Sequence, residues 1–220
     1  MYRKQEKTVM IRTRRIVLGL ALGILAAASS AFSATETFQL DKAHTLVGFK
    51  IRHFVSNVEG RFKDFEGTIV LDRQNPAASK VELTIQSASI DTANDNRDKD
   101  LRSANFFEVE KYPTITFKST KVEAKGSDTY EVTGDLMMHG VTKPVKLTVK
   151  SGGFIKAGKV EKAGFEVSGA LNRKDFGIVW NRALEGGGTM LSDEVDINIQ
   201  VEANKPDPDA QKAPPPPPKS

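Results

Sequence analysis

The stretch at residues 45–54 reads TLVGFKIRHF and alternates two kinds of side chain. One face carries three apolar residues and a histidine: Val47, Phe49, Ile51 and His53. Lys50 and Arg52 lie between them and fall on the other face. Because successive side chains of a β-strand point to opposite faces, this alternation predicts a strand with one face turned towards a core.

The same period of two returns along most of the chain. Six further segments show it: Val81/Leu83/Ile85, Ile115/Phe117, Tyr130/Val132/Leu136/Met138, Val145/Leu147/Val149, Phe165/Val167/Leu171 and Val195/Ile197/Ile199/Val201. A less regular run at 61–72 gives eight strands in all, with a ninth fragment at 38–40. Closely spaced strands with one polar and one apolar face are typical of an antiparallel sheet that closes into a barrel or folds as a sandwich.

One segment interrupts this alternation. Within residues 96–106, Leu101, Ala104 and Asn105 fall at helical spacing, and Asn94 or Asp95 is a suitable N-cap. The sequence therefore predicts an all-β protein with one short helix, at about 96–106, packed against the sheet.

The two ends of the chain differ from the part between them. Six of the 32 basic residues but only one of the 28 acidic residues lie in 1–33, which leaves 26 basic and 27 acidic residues beyond that point. The basic stretch ends at Arg15, an apolar run follows over 16–28, and Ala31-Phe32-Ser33 precedes Ala34. This is the pattern of a secretory signal peptide over 1–33, and residues 13–18 also resemble a twin-arginine signal.

The carboxyl-terminal segment 205–220 contains seven of the ten prolines. Such a composition predicts a disordered, extended tail. Once both end segments are set aside, one domain remains, at 34–204. Its nearly neutral charge argues against nucleic acid as a partner, and the absence of cysteine from the chain excludes disulfides and thiolate metal sites.

The aromatic residues argue against an integral membrane barrel. Membrane barrels carry belts of aromatic side chains at both interfaces, where tyrosine and tryptophan fit best. This chain has three Tyr and one Trp against twelve Phe. Phenylalanine suits a dry interior, so we expect an apolar centre that is either a packed core or a pocket for one small ligand.

Motifs of the common enzyme classes are absent from the sequence. It contains no G-x-S-x-G, H-E-x-x-H, Walker or G-x-G-x-x-G pattern. The three histidines, His44, His53 and His139, lie far apart, and no metal or cofactor is expected. His53 shares a face with Phe49 and Ile51, which favours an interior hydrogen bond or contact with a ligand headgroup.

Short motifs spread over nearly all of 36–203 follow one another in the order known from one protein family. They include LDKAHT at 40–45, GRF at 60–62, SIDT at 89–92, HGVTKP at 139–144 and NRKDFG at 172–177. The chain resembles the YceI-like proteins in these motifs, although Thr45 stands where the family usually has serine. The resemblance implies a lipocalin-like eight-stranded antiparallel barrel, periplasmic in bacteria, that holds a polyisoprenoid or similar long-chain lipid. The ligand could equally be an isoprenoid quinone or a fatty-acid derivative.

The predicted ligand site combines the inward faces of four strands with two polar anchors. Its apolar lining is Val47, Phe49, Ile51, Leu83, Ile85, Ile115, Phe117, Leu136 and Met138. His53 and Arg173 are the proposed headgroup anchors; the alternative for Arg173 is a surface ion pair with Asp175 or another acid. Three functions stay open: a non-enzymatic carrier, a lipid hydrolase or isomerase using His53 or His139 with a carboxylate, and a structural role without ligand. The oligomeric state also stays open, a homodimer included.

Overall fold

Residues 35–206 are the part of the chain that the computed structural model describes, and they form eleven β-strands and one α-helix. The strands are β1 Glu36–Leu40, β2 Leu46–His53, β3 Ser56–Phe62, β4 Phe65–Leu71, β5 Lys80–Gln86, β6 Ile90–Asp91, β7 Thr114–Ala124, β8 Thr129–Met138, β9 Val141–Ala157, β10 Val160–Asn172 and β11 Leu191–Lys205. The helix, α1, is Asp95–Arg102. The predicted signal peptide, 1–33, and residues 207–220 of the tail predicted over 205–220 lie outside the described residues.

Antiparallel pairing closes the sheet into a ring. The order is β1-β4-β5-β7-β8-β9-β10-β11, and β11 pairs with β1 to complete a ring of eight strands. β2 takes the same place beside β11 as β1 but further along that strand. β3 pairs with β2, and β6 pairs with β3, so these strands extend the sheet at one end of the barrel. An eight-stranded antiparallel barrel with one helix is therefore confirmed.

The two ends of the barrel differ. At the α1 end lie the β2–β3 turn, the helix and the loop 177–190. A hydrogen bond from the Phe54 amide to the Met190 carbonyl (2.8 Å) joins the turn to the loop. At the hairpin end lie the β9–β10 turn and both limits of the described chain, where Lys205 is 2.6 Å from Glu36. The names α1 end and hairpin end are used below in this sense.

Three predicted boundaries are wrong. The run at 61–72 holds the end of β3 and all of β4, because the chain turns at Lys63 and Asp64. The helix ends at Arg102 rather than 106, since the Ser103 hydroxyl donates to the Asp100 carbonyl (2.6 Å) and leads the chain out of the helix. β11 extends to Lys205, one residue into the predicted tail.

The N-cap of α1 is Asn94, whose side chain accepts a hydrogen bond from the Arg97 amide (3.0 Å). Asp95 and Asp98 lie in the first turn and Lys99 and Arg102 in the last, which complements the helix dipole. Arg102 also donates to the Ala88 and Ile90 carbonyls (2.7 and 2.6 Å) and fastens the helix to the strand before it. Among residues 35–206 no helix has the length and apolar content needed to cross a bilayer.

Candidate functional site

An elongated cavity of about 690 Å³ runs through the barrel. Its lining includes Leu101 and Trp180 at the α1 end and Leu71 and Phe154 at the hairpin end, so it spans the length of the barrel. Between these ends the wall is formed by inward-facing apolar side chains of the strands. Pockets of roughly 300–1,000 Å³ with apolar walls and few polar groups are typical of small-molecule sites.

All eleven residues of the predicted site lie on the wall of this cavity. They are Val47, Phe49, Ile51, His53, Leu83, Ile85, Ile115, Phe117, Leu136, Met138 and Arg173. Further lining that the sequence analysis did not assign comes from six other strands, β1, β3, β4, β9, β10 and β11, and from the loops. Placement on the wall does not test ligand contact, which stays a prediction for each residue.

Two glycines let large rings lie flat against the wall. A Cβ at Gly60 would stand 2.3 Å from the ring of Phe49, and one at Gly134 would stand 2.4 Å from the ring of Phe117. Both distances are far below van der Waals contact, so only glycine leaves room for these rings. The width of the cavity at these two points therefore depends on Gly60 and Gly134, neither of which is part of the lining.

Loops supply the cover of the α1 end, and sequence reasoning missed their role. Phe106, Phe107, Trp180 and Met190 all line the cavity but belong to segments without strand periodicity. The rings of Phe106 and Trp180 are 5.2 Å apart, and those of Phe62 and Phe107 are 5.8 Å apart. In the sequence, only the adjacent pair Phe106-Phe107 indicated that a loop covers this end, because two apolar rings outside a periodic element need a place to be buried.

Polar side chains reach the cavity at the α1 end. His53, Asn96, Arg97 and Asp100 all border it there. The guanidinium of Arg97 is held by Thr92: Nε donates to the hydroxyl (2.7 Å) and Nη2 to the carbonyl (2.8 Å). The Thr92 hydroxyl donates in turn to the buried Asp98 carboxylate (2.5 Å). Arg97 is thus a positioned cation beside the cavity, and the sequence analysis did not single it out.

Arg173 is a buried structural side chain as well as a lining residue. Only 3 % of it is exposed. Its Nε donates to the Ser192 carbonyl (2.9 Å), and its Nη1 donates to the carbonyls of Ile178 (2.7 Å) and Trp180 (2.8 Å). Burial lowers the pKa of Arg173, and the charge of Asp193 opposes that shift. Its acidic neighbour is Asp193 at 3.5 Å, so the alternative of an ion pair is met by an acid other than Asp175, but Arg173 is buried and not at the surface.

The hairpin end is closed by aromatic and charged side chains. Phe154 packs on Phe38 and Phe165, with ring centroids 6.1 and 6.3 Å apart. The guanidinium of Arg73 lies over the Phe154 ring, 4.0 Å from its centroid. Arg73 is also paired with Glu36 and with Glu161 (2.6 Å). Burial would lower the pKa of Arg73, but the hydrogen bond to Glu161 and the charge of Glu36 outweigh it and raise the pKa.

The three histidines occupy separate places. His53 lines the cavity, and within residues 35–206 no carboxylate bonds to its ring. His139 lies in the β8–β9 turn outside the cavity lining; its Nδ1 is 3.0 Å from the Phe176 carbonyl and its Nε2 is 3.7 Å from Glu108. The only histidine–carboxylate pair near the α1 end therefore lies away from the cavity, as far as the described residues show.

His44 belongs to a charged cluster on the outside of the barrel. Its Nδ1 is 3.0 Å from Asp41 Oδ2, and this hydrogen bond, with others from Asn204 and the Ala43 amide, lowers the pKa of Asp41 to about 2 against the opposing effect of burial. Asp41, His44 and Glu202 have the spacing of metal ligands. The ammonium of Lys162, however, is 2.5 Å from Glu202 and 3.7 Å from Asp41, so a cation already lies beside both carboxylates.

Comparison with known proteins agrees with the barrel fold. The YceI-like domain model matches residues 38–203. Protein YceI of Escherichia coli O157:H7 is 42 % identical over 194 residues, which are 86 % of this chain and 97 % of that protein.

Two solved structures share the fold. A Campylobacter jejuni YceI protein is 38 % identical, with a TM-score of 0.60 over 76 % of this chain and 96 % of that one. A polyisoprenoid binding domain from Saccharophagus degradans is 16 % identical, with a TM-score of 0.54 over 79 % of this chain and 100 % of that one. The family model spans most of the chain, and the E. coli relative covers it at high identity; the chain therefore belongs to the YceI-like family.

Proposed function

We propose that this chain is an exported, periplasmic, non-enzymatic protein that holds a polyisoprenoid or similar long-chain lipid along the axis of its barrel. One observation carries the proposal: the cavity of about 690 Å³ is elongated and apolar along its wall, and its polar side chains gather near the ends. A flexible hydrocarbon chain with one small headgroup matches that distribution. The name of the Saccharophagus degradans domain supports the same class of ligand.

Apolar contact alone can supply a high affinity. Each methylene transferred from water to the cavity contributes roughly 0.8 kcal/mol, so a chain of a few isoprene units needs little help from hydrogen bonds. Polar side chains at the α1 end, His53 and Arg97 among them, would then orient a headgroup rather than provide most of the binding energy. A carrier needs this combination, since its cargo has to be held without being altered.

Catalysis has less support. A general acid–base pair needs two titratable groups within hydrogen-bond reach of each other and of the substrate. His53 borders the cavity without a carboxylate on its ring, and His139 has Glu108 nearby but lies outside the lining, within the described residues. The enzyme hypothesis would be favoured instead if purified protein turned over a lipid and His53→Ala abolished that turnover.

Two adjacent methionines provide the test. Met138 is 6 % exposed and lines the cavity, whereas Met137 is partly exposed and is not part of the lining. Full-length protein should be exported, purified from the periplasm and analysed by native mass spectrometry with lipid extraction. We expect wild type and Met137→Lys to carry a long-chain lipid and Met138→Lys to lose it, because a charge in the cavity opposes burial of the chain.

Three results would contradict the proposal. Folded wild-type protein without any lipid would remove the proposed function, and equal loss of lipid in both methionine variants would remove the cavity as the binding site. Export is tested on the same material, because amino-terminal sequencing should find a start near Ala34, and a start at Met1 would show that residues 1–33 are retained.

A further inference from the structure

On its β8 edge, the tip of the β9–β10 hairpin extends beyond the turn between β7 and β8. The last residue of β9 that pairs with β8 is Lys150, opposite Thr129, and β9 continues for seven residues to Ala157. At about 3.3 Å per residue, this extension is roughly 23 Å long on that edge. The hairpin tip, defined here as 154–159, thus reaches past the neighbouring turn between β7 and β8.

Apolar and basic side chains are combined on the hairpin tip. Ile155 is 67 % exposed and Phe154 is 39 % exposed. Lys156 and Lys159 are exposed beside them, and among residues 35–206 neither takes part in an ion pair, whereas the nearby Lys162 and Lys205 are both paired with carboxylates. The tip therefore carries two uncompensated positive charges around an exposed apolar pair.

A glycine bulge separates this tip from the barrel wall. Gly153 pairs with Gly164 and Ser151 with Phe165, so Gly152 is the extra residue of a β-bulge. Gly153 has φ +94°, a conformation that side-chain-bearing residues rarely adopt. No side chain lies between the two strands at this point, but β10 stays paired with β11 as far as Glu161 and Phe154 packs on Phe38 and Phe165, so the bulge sets the direction of the tip without freeing it.

From this geometry we propose that the hairpin tip docks the protein on an anionic phospholipid bilayer, with Ile155 entering the interface and Lys156 and Lys159 facing the headgroups. Apolar burial combined with attraction to anionic lipids is the general basis of interfacial binding. The inference deepens the proposed lipid-binding function and rests on it, because Phe154, the first residue of the tip, borders the cavity. Docking places the hairpin end of the barrel next to the membrane surface.

The α1 end also exposes apolar side chains but lacks this charge pattern. Val55 is fully exposed and Val179 is 62 % exposed. Arg52 and Arg182 are exposed near them and form no ion pair among residues 35–206, but the exposed acids Glu59 and Glu185 lie in the same hairpin and loop, whereas 154–159 contains no acid. Val55 is therefore a suitable control for Ile155: a β-branched residue, more exposed than Ile155, at the opposite end of the barrel.

Co-sedimentation of the full exported protein with vesicles tests the proposal. The vesicles are mixed phosphatidylethanolamine and phosphatidylglycerol, compared with phosphatidylcholine alone, at low and high salt. A basic residue near such a surface contributes about fivefold to partitioning, so Lys156→Gln with Lys159→Gln should lower binding to the anionic vesicles by roughly 25-fold. Ile155→Ser should lower it roughly tenfold, and Val55→Ser should leave it unchanged.

Failure to sediment with anionic vesicles at low salt would overturn the proposal, as would equal loss with Val55→Ser. A dimer that Ile155→Ser dissociates, in protein that does not bind vesicles, would assign the tip to a second copy of the chain instead. Lipid content is measured separately on each variant. Because Ile155, Lys156 and Lys159 are not part of the cavity lining, loss of docking with retained lipid leaves the proposed function intact, and docking without any bound lipid removes only that function.

Discussion

Arg173 shows how one side chain can hold several loops in place. Its guanidinium donates to carbonyls of Ile178, Trp180 and Ser192, and each of these belongs to the segment that runs from the end of β10 to the start of β11. Without the arginine these carbonyls would lose their donor in a partly or fully buried setting. The side chain therefore organises the loop that covers the α1 end of the cavity, whatever contact it makes with a ligand.

Replacing Arg173 by methionine should destabilise the fold. A buried polar group left without a partner costs about 1–3 kcal/mol, and with three carbonyls affected we expect a loss of about 3 kcal/mol or more in the free energy of unfolding by urea. Lys174→Met is the matched control, since its ion pair with Asp193 is largely exposed and should be worth at most about 1 kcal/mol. Undiminished stability with loss of bound lipid would instead identify Arg173 as a headgroup anchor.

Asp41 makes the free energy of unfolding of the barrel depend on pH in the acid range. Because its pKa is about 2 when folded and 3.8 ordinarily, the unfolded chain takes up the proton first as the pH falls. The stabilisation is complete above pH 3.8 and is lost as the pH approaches about 2. The difference in free energy of unfolding between wild type and Asp41→Asn should therefore shrink across this window. Urea titrations at several pH values measure it, with Asp128→Asn in the β7–β8 turn as the control; a difference independent of pH would refute the assignment to Asp41.

Among the elements, β7 and β8 depend on a glycine for their packing. A Cβ at Gly134 would meet the Phe117 ring at 2.4 Å and the Lys118 carbonyl at 2.7 Å, so the backbone as well as the ring would have to move. Gly134→Ala should cost about 1–3 kcal/mol in the free energy of unfolding, in the range of other overpacked interiors. Gly126→Ala, whose Cβ meets nothing closer than 3.9 Å, should change stability by less than about 1 kcal/mol. Equal effects of the two substitutions would show that the Phe117 ring has room to move.

Strand periodicity predicted the elements that bury one face and missed those that do not. β3 begins Ser56-Asn57-Val58-Glu59-Gly60, and only Val58 in this stretch carries an apolar side chain. It forms a strand because β2 pairs with it along its whole length, from His53 opposite Ser56 to Val47 opposite Phe62. A strand held mainly by its neighbour leaves no alternation in the sequence, which is why the prediction began only at residue 61.

At the scale of the whole molecule, the sequence was informative about the wall of the cavity and uninformative about its ends. The wall follows from period-two faces, and every lining residue that the faces predicted is present. The ends depend on which loop folds over the barrel. Trp180 is brought there by a long-range contact with Phe106, which no local pattern encodes, whereas Arg97 is held by Thr92, five residues before it.

The cavity also makes the volume of the folded protein depend on its cargo. Pressure favours the state of smaller volume, and unfolding eliminates internal space that water cannot fill. Because apolar side chains line most of the cavity of about 690 Å³, we expect it to stay dry without lipid, and lipid-free protein should then show a larger negative volume change of unfolding than lipid-loaded protein. Trp180, the only tryptophan of the chain, borders the cavity and reports the transition by fluorescence under hydrostatic pressure. Identical volume changes would mean that water fills the lipid-free barrel before it unfolds. Different ones would make the volume change of unfolding a measure of lipid loading that needs no labelled lipid.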